Sequence, residues 1–427
     1  MFSLKEEKKS TKIILFSCCI IFFMLCAFTA IYYGNSTLLG NLKNPDNDDV
    51  KFIRSAWILA KTGNYIYHYP NILTVFMMPG LSYTLAIVTL IFGEGRSLTA
   101  FRILQSLIQT GSLALVFFIG RKIFNSKVGL IAVILDILYT AEIWVSNLIL
   151  TETFFKFFVL LLIYFSLYAI EQKKMKYYIL GGAAWGFATL FRPTIATFPA
   201  VILIMWLIKK YSFKDIIKYT ITVVLIFSVI LSPWWIRNYR IFGKFIPLTL
   251  ATGNPMLQGT YINYDQSTKA TDGLDYSQFV YPGNEIGNNE LEMNMSKYRL
   301  KNLVPKHPFQ YLYWYTIGKT IQQIDFPFYW HQILGVSVYL QAFYHYLLLI
   351  LCAVGVIFFF INKSRNKMGT FIFMSIIYFI LVYLPFYAFS RYFYPAMPCV
   401  IIFAAAALLN IYEEINIIKQ NSVKNKQ

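Results

Sequence analysis

The sequence has 427 residues, of which 57% are hydrophobic and only 14% are charged. This charged fraction is well below the roughly 25% of an average globular protein, which argues against a soluble domain. The formal net charge of +18 would suggest a nucleic-acid partner in a soluble protein. Here, however, Lys and Arg cluster in short loops between apolar runs, where they report membrane orientation instead. The composition therefore predicts an all-α polytopic membrane protein that does not bind nucleic acid.

The apolar runs, of about 16 to 22 residues each, are long enough to cross a hydrocarbon core of about 30 Å as helices. They predict about ten transmembrane helices, in a range of about nine to twelve, at residues 12–33, 98–120, 128–146, 149–170, 177–191, 194–209, 215–232, 339–361, 369–388 and 394–411. The first run resembles a signal peptide, but it is too long for one, so we expect an uncleaved helix. All five cysteines lie inside apolar runs, so neither a disulfide nor a thiolate metal site is expected.

The apolar segment 72–93 decides the topology, because a crossing there would invert every later loop. Without a crossing, the cytoplasmic side receives 20 of the 38 Lys and Arg residues, in the stretches 5–12, 121–127, 173–176, 209–218, 363–367 and 419–426. This asymmetry follows the positive-inside rule. We therefore expect 72–93 to be interfacial or re-entrant, which leaves two long segments, 34–97 and 233–338, outside.

These expectations divide the chain into six parts. They are a cytoplasmic tail with the first helix (1–33), a first external loop with interfacial helices (34–97), a six-helix core (98–232), a second external loop (233–338), three C-terminal helices (339–411) and a cytoplasmic tail (412–427). Within the second external loop, 251–289 has the composition of a loop. The aromatic stretch 311–330 is expected to form an amphipathic helix in the interface.

Three carboxylates, Asp46, Asp48 and Asp49, lie at the predicted start of a helix in the first external loop. The simplest interpretation is N-capping and complementation of the helix dipole. The functional alternative is a general base or a metal ligand, with a divalent ion held by Asp46 and Asp48. An Asp-x-Asp pattern alone does not separate these interpretations.

Two of the acidic residues inside the predicted spans are candidates for function. Glu152 opens a span near the outer surface, and Lys156, one helical turn further in, could pair with it. Asp136 lies deeper and has no partner nearby in the sequence. Ionisable residues at membrane depth are costly, so both are candidates for function, although Asp136 could equally be structural.

Five arginines lie at the predicted outer ends of spans, against the inside-positive bias: Arg102, Arg192, Arg237, Arg240 and Arg391. Each could be a snorkelling side chain. Together they predict an anionic ligand, because guanidinium groups match phosphate oxygens bidentately. The four histidines show no metal-ligand spacing, and no glycine-rich phosphate loop indicates a nucleotide.

Several short motifs follow one another in an informative order. In the acidic first external loop, Asp48 is followed by Phe52, Ala60, Gly63 and Tyr65. The later motifs are, in chain order, Phe101-Arg102, the inner loop 121–125, Thr151-Glu152-Thr153, the stretch 182–193 ending in Arg-Pro, 233–238, and Arg391-Tyr392. This order resembles the C-type glycosyltransferase superfamily, in particular the enzymes related to protein O-mannosyltransferases and to the aminoarabinose transferase of lipid A. The resemblance spans nearly the whole chain. The sequence departs from it in having a lone Pro79 and no large C-terminal soluble domain.

The resemblance implies an inverting glycosyltransferase that moves a sugar from a polyprenyl-phosphate carrier to an acceptor hydroxyl on the outer face of the membrane. It implies Asp48 as the general base, with Asp49 as the second choice, and Glu152 as a further acidic residue. The predicted ligands of the donor phosphate are Arg102, Arg192, Arg237 and Arg391, and the predicted substrate contacts are His68, Asn238 and Tyr392. The acceptor could be a lipid, a glycan or a protein. No cofactor is firmly expected, although a divalent metal is an open alternative.

A polysaccharide polymerase or ligase and a lipid-linked glycan transporter are the competing functions. A transporter usually shows repeated halves or helices broken at matching positions, and the sequence shows neither. A polymerase or ligase usually has a large external loop late in the chain as its signal, whereas here the acidic loop after the first helix favours the glycosyltransferase. The chain is rich in Lys, Asn and Ile and its last residues carry no retention signal. We therefore expect a multi-pass protein of a bacterial plasma membrane.

Overall fold

The computed structural model describes residues 2–267, 272–279, 284–362 and 366–424, so parts of the predicted inner loop 363–367 and of the tail 412–427 lie outside the described residues. Within these ranges the chain is helical or irregular, and three isolated β-bridges are its only extended pairing. Six of the described helices are long and apolar enough to cross a membrane, or seven if one bent pair counts as a span. The predicted all-α membrane fold is confirmed, while the number of ten spans stays a prediction.

The first half of the chain forms ten helices among the described residues. They are α1 (Lys9–Tyr32), α2 (Asp48–Thr62), α3 (Gly80–Phe92), α4 (Glu94–Ile123), α5 (Ser126–Leu138), α6 (Ala141–Asn147), α7 (Glu152–Gln172), α8 (Met175–Phe191), α9 (Pro199–Ile208) and α10 (Phe213–Phe242). Helices α5 and α6 meet at 62°, so the predicted span 128–146 is bent in its middle.

In the part of the chain that the structure describes, the second half contains eight helices of very different length. They are α11 (Gly253–Gly259), α12 (Glu285–Leu303), α13 (Pro308–Tyr313), α14 (Lys319–Ile324), α15 (Val338–Ile361), α16 (Met368–Leu381), α17 (Ser390–Phe393) and α18 (Met397–Lys424). Helix α12 begins inside the stretch 251–289 that the sequence predicts to be a loop. The predicted interfacial helix 311–330 is instead α13 and α14, joined by one π-helical turn, and it ends at Ile324.

Helices α7 and α18 lie in the centre of the bundle, whereas α1, α10 and α15 expose broad apolar faces at its periphery. Helix α7 packs between α4 and α8, and α18 packs against α5 and α15. The contact of α15 with α18 is so close that a Cβ added at Gly355 would lie 2.1 Å from the Phe403 carbonyl oxygen. Peripheral helices that show apolar side chains outward are what a lipid environment requires.

Helix α10 extends ten residues past the predicted end of its span at residue 232, straight through Pro233. A proline has no N–H to donate to the carbonyl of the residue four positions earlier. The hydroxyl of Ser232 donates to that carbonyl, the Val229 oxygen, at 2.9 Å. The stretch that follows this helix therefore begins near Gly243, where a positive φ of 64° ends the helix.

Helix α3 occupies the segment whose topology the sequence leaves open. Its 13 residues are about 20 Å long, which is too short to cross a core of about 30 Å. Its first residue, Gly80, lies against the end of α8, where a Cβ would come within 2.6 Å of the Leu190 carbonyl oxygen. This contact holds α3 beside the residues that follow α8, which form part of the candidate site.

Candidate functional site

A cavity of about 600 Å³ opens beside the start of α2 and the outer ends of α7 and α8. Small-molecule sites commonly measure about 300–1,000 Å³. Residues 249–255 and the first turns of α12 form one part of the cavity wall, and residues 383–392 form another. Five of the predicted site residues line it: Asp48, His68, Arg192, Arg391 and Tyr392.

Asp48 stands in the first turn of α2, which Asn47 caps by accepting a hydrogen bond from the Asp48 amide at 2.7 Å. Its Oδ1 accepts a hydrogen bond from the Tyr67 hydroxyl at 2.8 Å, and its Oδ2 accepts one from Arg391 Nη1 at 3.0 Å. Burial raises the pKa of Asp48, but the Arg391 charge and the Tyr67 hydrogen bond together hold it below its ordinary value. The side chain remains 36% exposed, so Asp48 is an ionised carboxylate that a ligand can reach.

Asp49, the second choice for a base, faces away from the cavity. Its Oδ2 accepts from the Leu39 amide at 2.6 Å and its Oδ1 from its neighbour Val50 at 2.8 Å. The residue is fully buried, and burial raises its pKa above the ordinary value despite these hydrogen bonds. Asp49 therefore ties the first external loop to α2, a role that the sequence could not distinguish from that of Asp48.

Glu152 is completely buried at the start of α7 and lies between two arginines. Its Oε1 accepts hydrogen bonds from Arg192 Nη2 and from Arg391 Nε. Because Arg391 also binds Asp48, the four residues form one continuous chain of ion pairs, Asp48–Arg391–Glu152–Arg192, which we call the outer cluster. The expected pairing of Glu152 with Lys156 is wrong: Lys156 is paired with Glu142 instead.

The outer cluster retains hydrogen-bond donors that could bind an anion. Arg192 Nε donates to Thr151 Oγ1 at 2.9 Å and Nη2 to Glu152, but the buried Nη1 has no hydrogen-bond partner among the described residues. A buried N–H without a partner is costly, and an acceptor atom from a ligand would remove that cost. Both arginines line the cavity, so an anionic group placed there would contact them.

The remaining predicted arginines lie elsewhere. Arg102 is buried in α4, where it donates to the Asn147 carbonyl and to Asn35 Oδ1, each at 3.0 Å. Arg237 Nη1 donates to the Thr74 carbonyl at 2.6 Å and to Asn238 Oδ1 at 2.9 Å. Neither lines the cavity, and nor does Asn238. Arg240 is exposed on α10. The five arginines predicted to converge are thus reduced to two at the cavity.

The wall opposite the outer cluster is formed by polar residues of α12 that the sequence does not single out. Glu285 accepts from Thr74 Oγ1 at 2.5 Å, and its other carboxylate oxygen lies 3.2 Å from His68 Nδ1. Glu292 accepts from Asn254 at 2.7 Å. Aromatic rings complete the lining, among them Tyr392, which stacks on Tyr383 with centroids 4.6 Å apart. Carboxylates, amides and aromatic faces suit a hydroxyl-rich ligand.

The two aspartates of the Asp-x-Asp pattern bind different partners. Asp46 Oδ1 accepts from the Asn41 amide at 3.0 Å, whereas Asp48 binds Tyr67 and Arg391. Across the ranges that the structure describes, no three His, Cys, Asp or Glu side chains are grouped to hold a metal ion. The geometry therefore gives no support to a metal at Asp46 and Asp48.

A second cavity, of about 230 Å³, lies between α7, α8, α9 and α10. Its lining is almost entirely apolar and includes Trp185, Trp206 and Gly182. One of these residues, Trp185, donates its indole N–H to the Ile195 carbonyl at 3.0 Å, in the 3₁₀ turn Pro193–Thr197 that directly follows Arg192. An apolar groove in this position is suited to a hydrocarbon chain whose polar end lies near the outer cluster.

Comparison with known proteins gives a consistent picture. Residues 77–236 match the model of the dolichyl-phosphate-mannose-protein mannosyltransferase family. The apo oligosaccharyltransferase of Archaeoglobus fulgidus has a similar structure, with a TM-score of 0.61 and 14% identity over 98% of this chain and 52% of that one. For the same archaeal enzyme, AglB, in complex with an inhibitory peptide and a dolichol-phosphate, the TM-score is 0.56, with 13% identity over 98% and 52% of the two chains.

A more distant likeness is to ArnT from Cupriavidus metallidurans bound to undecaprenyl phosphate, with a TM-score of 0.44 and 12% identity over 91% of this chain and 76% of that one. No curated protein matches the sequence. The chain spans about half the length of the archaeal enzyme whose fold it shares. The predicted resemblance to the C-type glycosyltransferases is confirmed by the family match and by the shared fold.

Proposed function

We propose that this protein is an inverting glycosyltransferase that moves a sugar from a polyprenyl-phosphate carrier to an acceptor hydroxyl at the outer face of the membrane. The outer cluster is the observation that carries this proposal. It combines one reachable carboxylate, Asp48, with two arginines that line the same cavity, and one of these has an N–H without a partner among the described residues. A carboxylate base beside a phosphate site is what this transfer requires.

The donor phosphate is proposed to bind Arg192 and Arg391. Both side chains line the cavity, and guanidinium groups bind phosphate oxygens with good geometry. The archaeal enzyme with the same fold binds a dolichol-phosphate, a lipid phosphate of the kind proposed here. The apolar groove beside Pro193–Thr197 would receive part of the prenyl chain. We no longer assign Arg102 and Arg237 to the phosphate, because neither reaches the cavity.

The reaction needs one base and no separate acid. The acceptor hydroxyl oxygen attacks the anomeric carbon while its proton passes to an Asp48 carboxylate oxygen. The bond from the anomeric carbon to the phosphate oxygen breaks, and its electron pair remains on the phosphate. Arg192 and Arg391 stabilise the charge that develops there. A single displacement of this kind inverts the anomeric centre, whereas glycosidases generally use two carboxyl groups.

The shared arginine links donor binding to the strength of the base. In the free protein Arg391 holds the pKa of Asp48 low, so the carboxylate is ionised but a weak base. A bound phosphate places negative charge beside the same guanidinium, which offsets its effect on Asp48. The carboxylate thereby becomes more basic when the donor is in place.

The proposal is tested by incubating the purified protein with polyprenyl phosphates that carry different sugars and following sugar loss by mass spectrometry. Transfer of at least one sugar, abolished in Asp48→Asn, is the expected result. Donor binding without sugar loss, in the presence of a broad set of hydroxyl acceptors, would favour the transporter alternative. Growth of a polymeric product from lipid-linked repeats would favour the polymerase. Absence of donor binding would contradict the proposal altogether.

A further inference from the structure

A second cluster of buried polar side chains lies one helical turn further into the membrane than the outer cluster. It consists of Gln109 on α4, Glu142 on α6, Lys156 on α7 and Tyr394 after α17, and we call it the inner cluster. Lys156 follows Glu152 by four residues and Tyr394 follows Arg391 by three, so these two inner residues each lie about one helical turn from an outer one. All four side chains are buried, and none lines either cavity.

Tyr394 is the centre of the inner cluster. Its hydroxyl donates to Glu142 Oε2 at 2.7 Å and accepts from Lys156 Nζ and from Gln109 Nε2, both at 2.9 Å. Lys156 and Gln109 also donate to Glu142 Oε2, and the Lys156 ammonium lies 4.9 Å from the centre of the Tyr394 ring. The phenol uses its proton and both lone pairs, so it joins α4, α6 and α7 to the segment that carries Arg391.

Stability alone is a poor explanation for such a cluster. A buried ion pair is often no more stabilising than apolar residues of the same volume, because desolvation cancels much of the attraction. The inner cluster instead fixes the position of the chain segment that carries Arg391. Residues 382–389, which precede α17, are turn and irregular chain, so they offer Arg391 little helical support from that side. Tyr394 supplies a rigid attachment three residues later.

We infer that the inner cluster is a positioning device, which holds Arg391 and Glu152 at the separation where Arg391 contacts Asp48 and the donor phosphate together. Tyr394 is its central positioning residue and touches no substrate. The inference rests on the proposed function, because it assigns the cluster to the donor-phosphate site.

The decisive variant is Tyr394→Phe, which keeps the ring and removes only the hydroxyl. Its matched control is Tyr329→Phe, because Tyr329 is equally buried and its hydroxyl also has three partners: the amide and carbonyl of Ile333 and the carbonyl of Val336, at 2.8, 3.2 and 2.9 Å. Those partners lie in one local turn outside the cavity. Binding of polyprenyl phosphate without a sugar, measured in detergent, should weaken by about tenfold in Tyr394→Phe, as for one charge-assisted hydrogen bond. It should stay within about twofold of wild type in the control.

A second measurement separates positioning from general loosening. The acid limb of kcat/KM reports the ionisation of Asp48. The charged and titratable groups around Asp48 include Arg391, Tyr67, Lys51, Asp49 and Tyr392. If Tyr394→Phe allows Arg391 to move away from Asp48, the Arg391 charge lowers the pKa of Asp48 less. The acid limb of kcat/KM then moves to higher pH. The limb should not move in Tyr329→Phe.

Three outcomes are possible. Weaker donor binding together with a moved limb, in Tyr394→Phe only, supports the inference. If the two variants behave alike while the wild type binds and transfers, the inference is overturned and the proposed function stands. If the wild type neither binds the lipid phosphate nor transfers a sugar, the proposed function fails and the inference falls with it.

Discussion

The outer and inner clusters contain similar residue types at almost the same place in the bundle, yet only one of them borders a cavity. The outer cluster joins Asp48 and the buried Glu152 to two arginines, and the inner cluster joins the buried Glu142 to Lys156. An unpartnered N–H does not by itself separate them from structural sites, because Arg102 Nη2 also has no partner among the described residues. Access is what differs. Arg192 and Arg391 can be reached from the cavity, while Arg102 and Lys156 cannot, so burial of charge at membrane depth marks a ligand site only where a cavity meets it.

The largest effect expected from this contrast is on the base. Asp48→Asn should reduce transfer by about a thousandfold, because general-base catalysis typically contributes about 10² to 10⁴. Binding of polyprenyl phosphate should survive, since Arg192 and Arg391 remain. Initial rates of sugar transfer and direct lipid binding measure the two effects. Asp49→Asn is the matched control, which should be less stable but keep most of its activity. If Asp49→Asn were well folded but inactive while Asp48→Asn was active, Asp49 rather than Asp48 would be the base.

A smaller effect is expected on donor binding. Arg391→Ala removes a ligand of the phosphate and should weaken binding of polyprenyl phosphate by about 30- to 100-fold, as for a charge-assisted hydrogen bond worth about 2–3 kcal/mol. The protein should also unfold more easily, because the buried Glu152 then keeps only Arg192 as a cationic partner. Binding must therefore be compared at a temperature where both proteins are folded. Wild-type affinity in that comparison would remove Arg391 from the phosphate site.

Arg102 should show the opposite pattern. Arg102→Met leaves the Asn147 carbonyl without its buried donor, so the free energy of unfolding should fall by about 1–3 kcal/mol. Donor affinity should change less than about threefold, because Arg102 does not border the cavity. Thermal unfolding in detergent and lipid binding provide the two readouts. A stable Arg102→Met protein that had lost donor binding would mean that the cavity extends to α4 in the bound state.

The smallest effect is a displacement between two pH profiles. Asp48 must be ionised to act, so activity is lost as pH falls through its pKa, and kcat/KM reports the free protein while kcat reports the donor complex. Arg391 and Tyr67 hold this pKa below its ordinary value in the free protein, and a bound phosphate offsets the Arg391 charge. The acid limb of kcat should therefore lie at higher pH than that of kcat/KM. Coincident limbs would show that phosphate and base do not share Arg391.

Local sequence signals were sufficient for the helices and for part of the site. Apolar runs gave each predicted span a helix or a pair of helices in the structure, and Asp48, Arg192 and Arg391 line one cavity although 343 residues separate the first from the last. The predicted partner of Lys156 was wrong, because the actual contact depends on a bend between two helices. Lys156 is four residues from Glu152, but the 62° angle between α5 and α6 brings Glu142 to it instead. No periodicity in the sequence reports that angle.

The roles of two tyrosines and the polar wall formed by α12 could not be inferred from the sequence, because they involve residue types that are common in this chain. Tyr67 and Tyr394 are two of 32 tyrosines, and only their hydroxyl partners single them out. The polar wall of α12 lies in a stretch whose Asn and Gly content indicates a loop, and the helix forms there with Asn284 as its cap, accepting from the Gly287 amide at 2.5 Å. For the inner cluster, the sequence offers only charged residues inside predicted spans: it predicts Lys156 as a partner for Glu152 and does not single out Glu142.

The order of the charges along the chain bears on how this protein is made. Glu142, Glu152, Lys156 and Arg192 lie within 51 consecutive residues, so a nascent chain that has entered the membrane only as far as α8 already contains two acidic and two basic partners of the clusters. Arg391 and Tyr394 are synthesised about two hundred residues later. Insertion of the first half can thus proceed with its ionic groups compensated, whereas the ion pair between Arg391 and Asp48 forms only after the segment that carries Arg391 has been made. The cavity wall that contains Arg391 and Tyr392 is therefore added after α2, α7 and α8 are already in place.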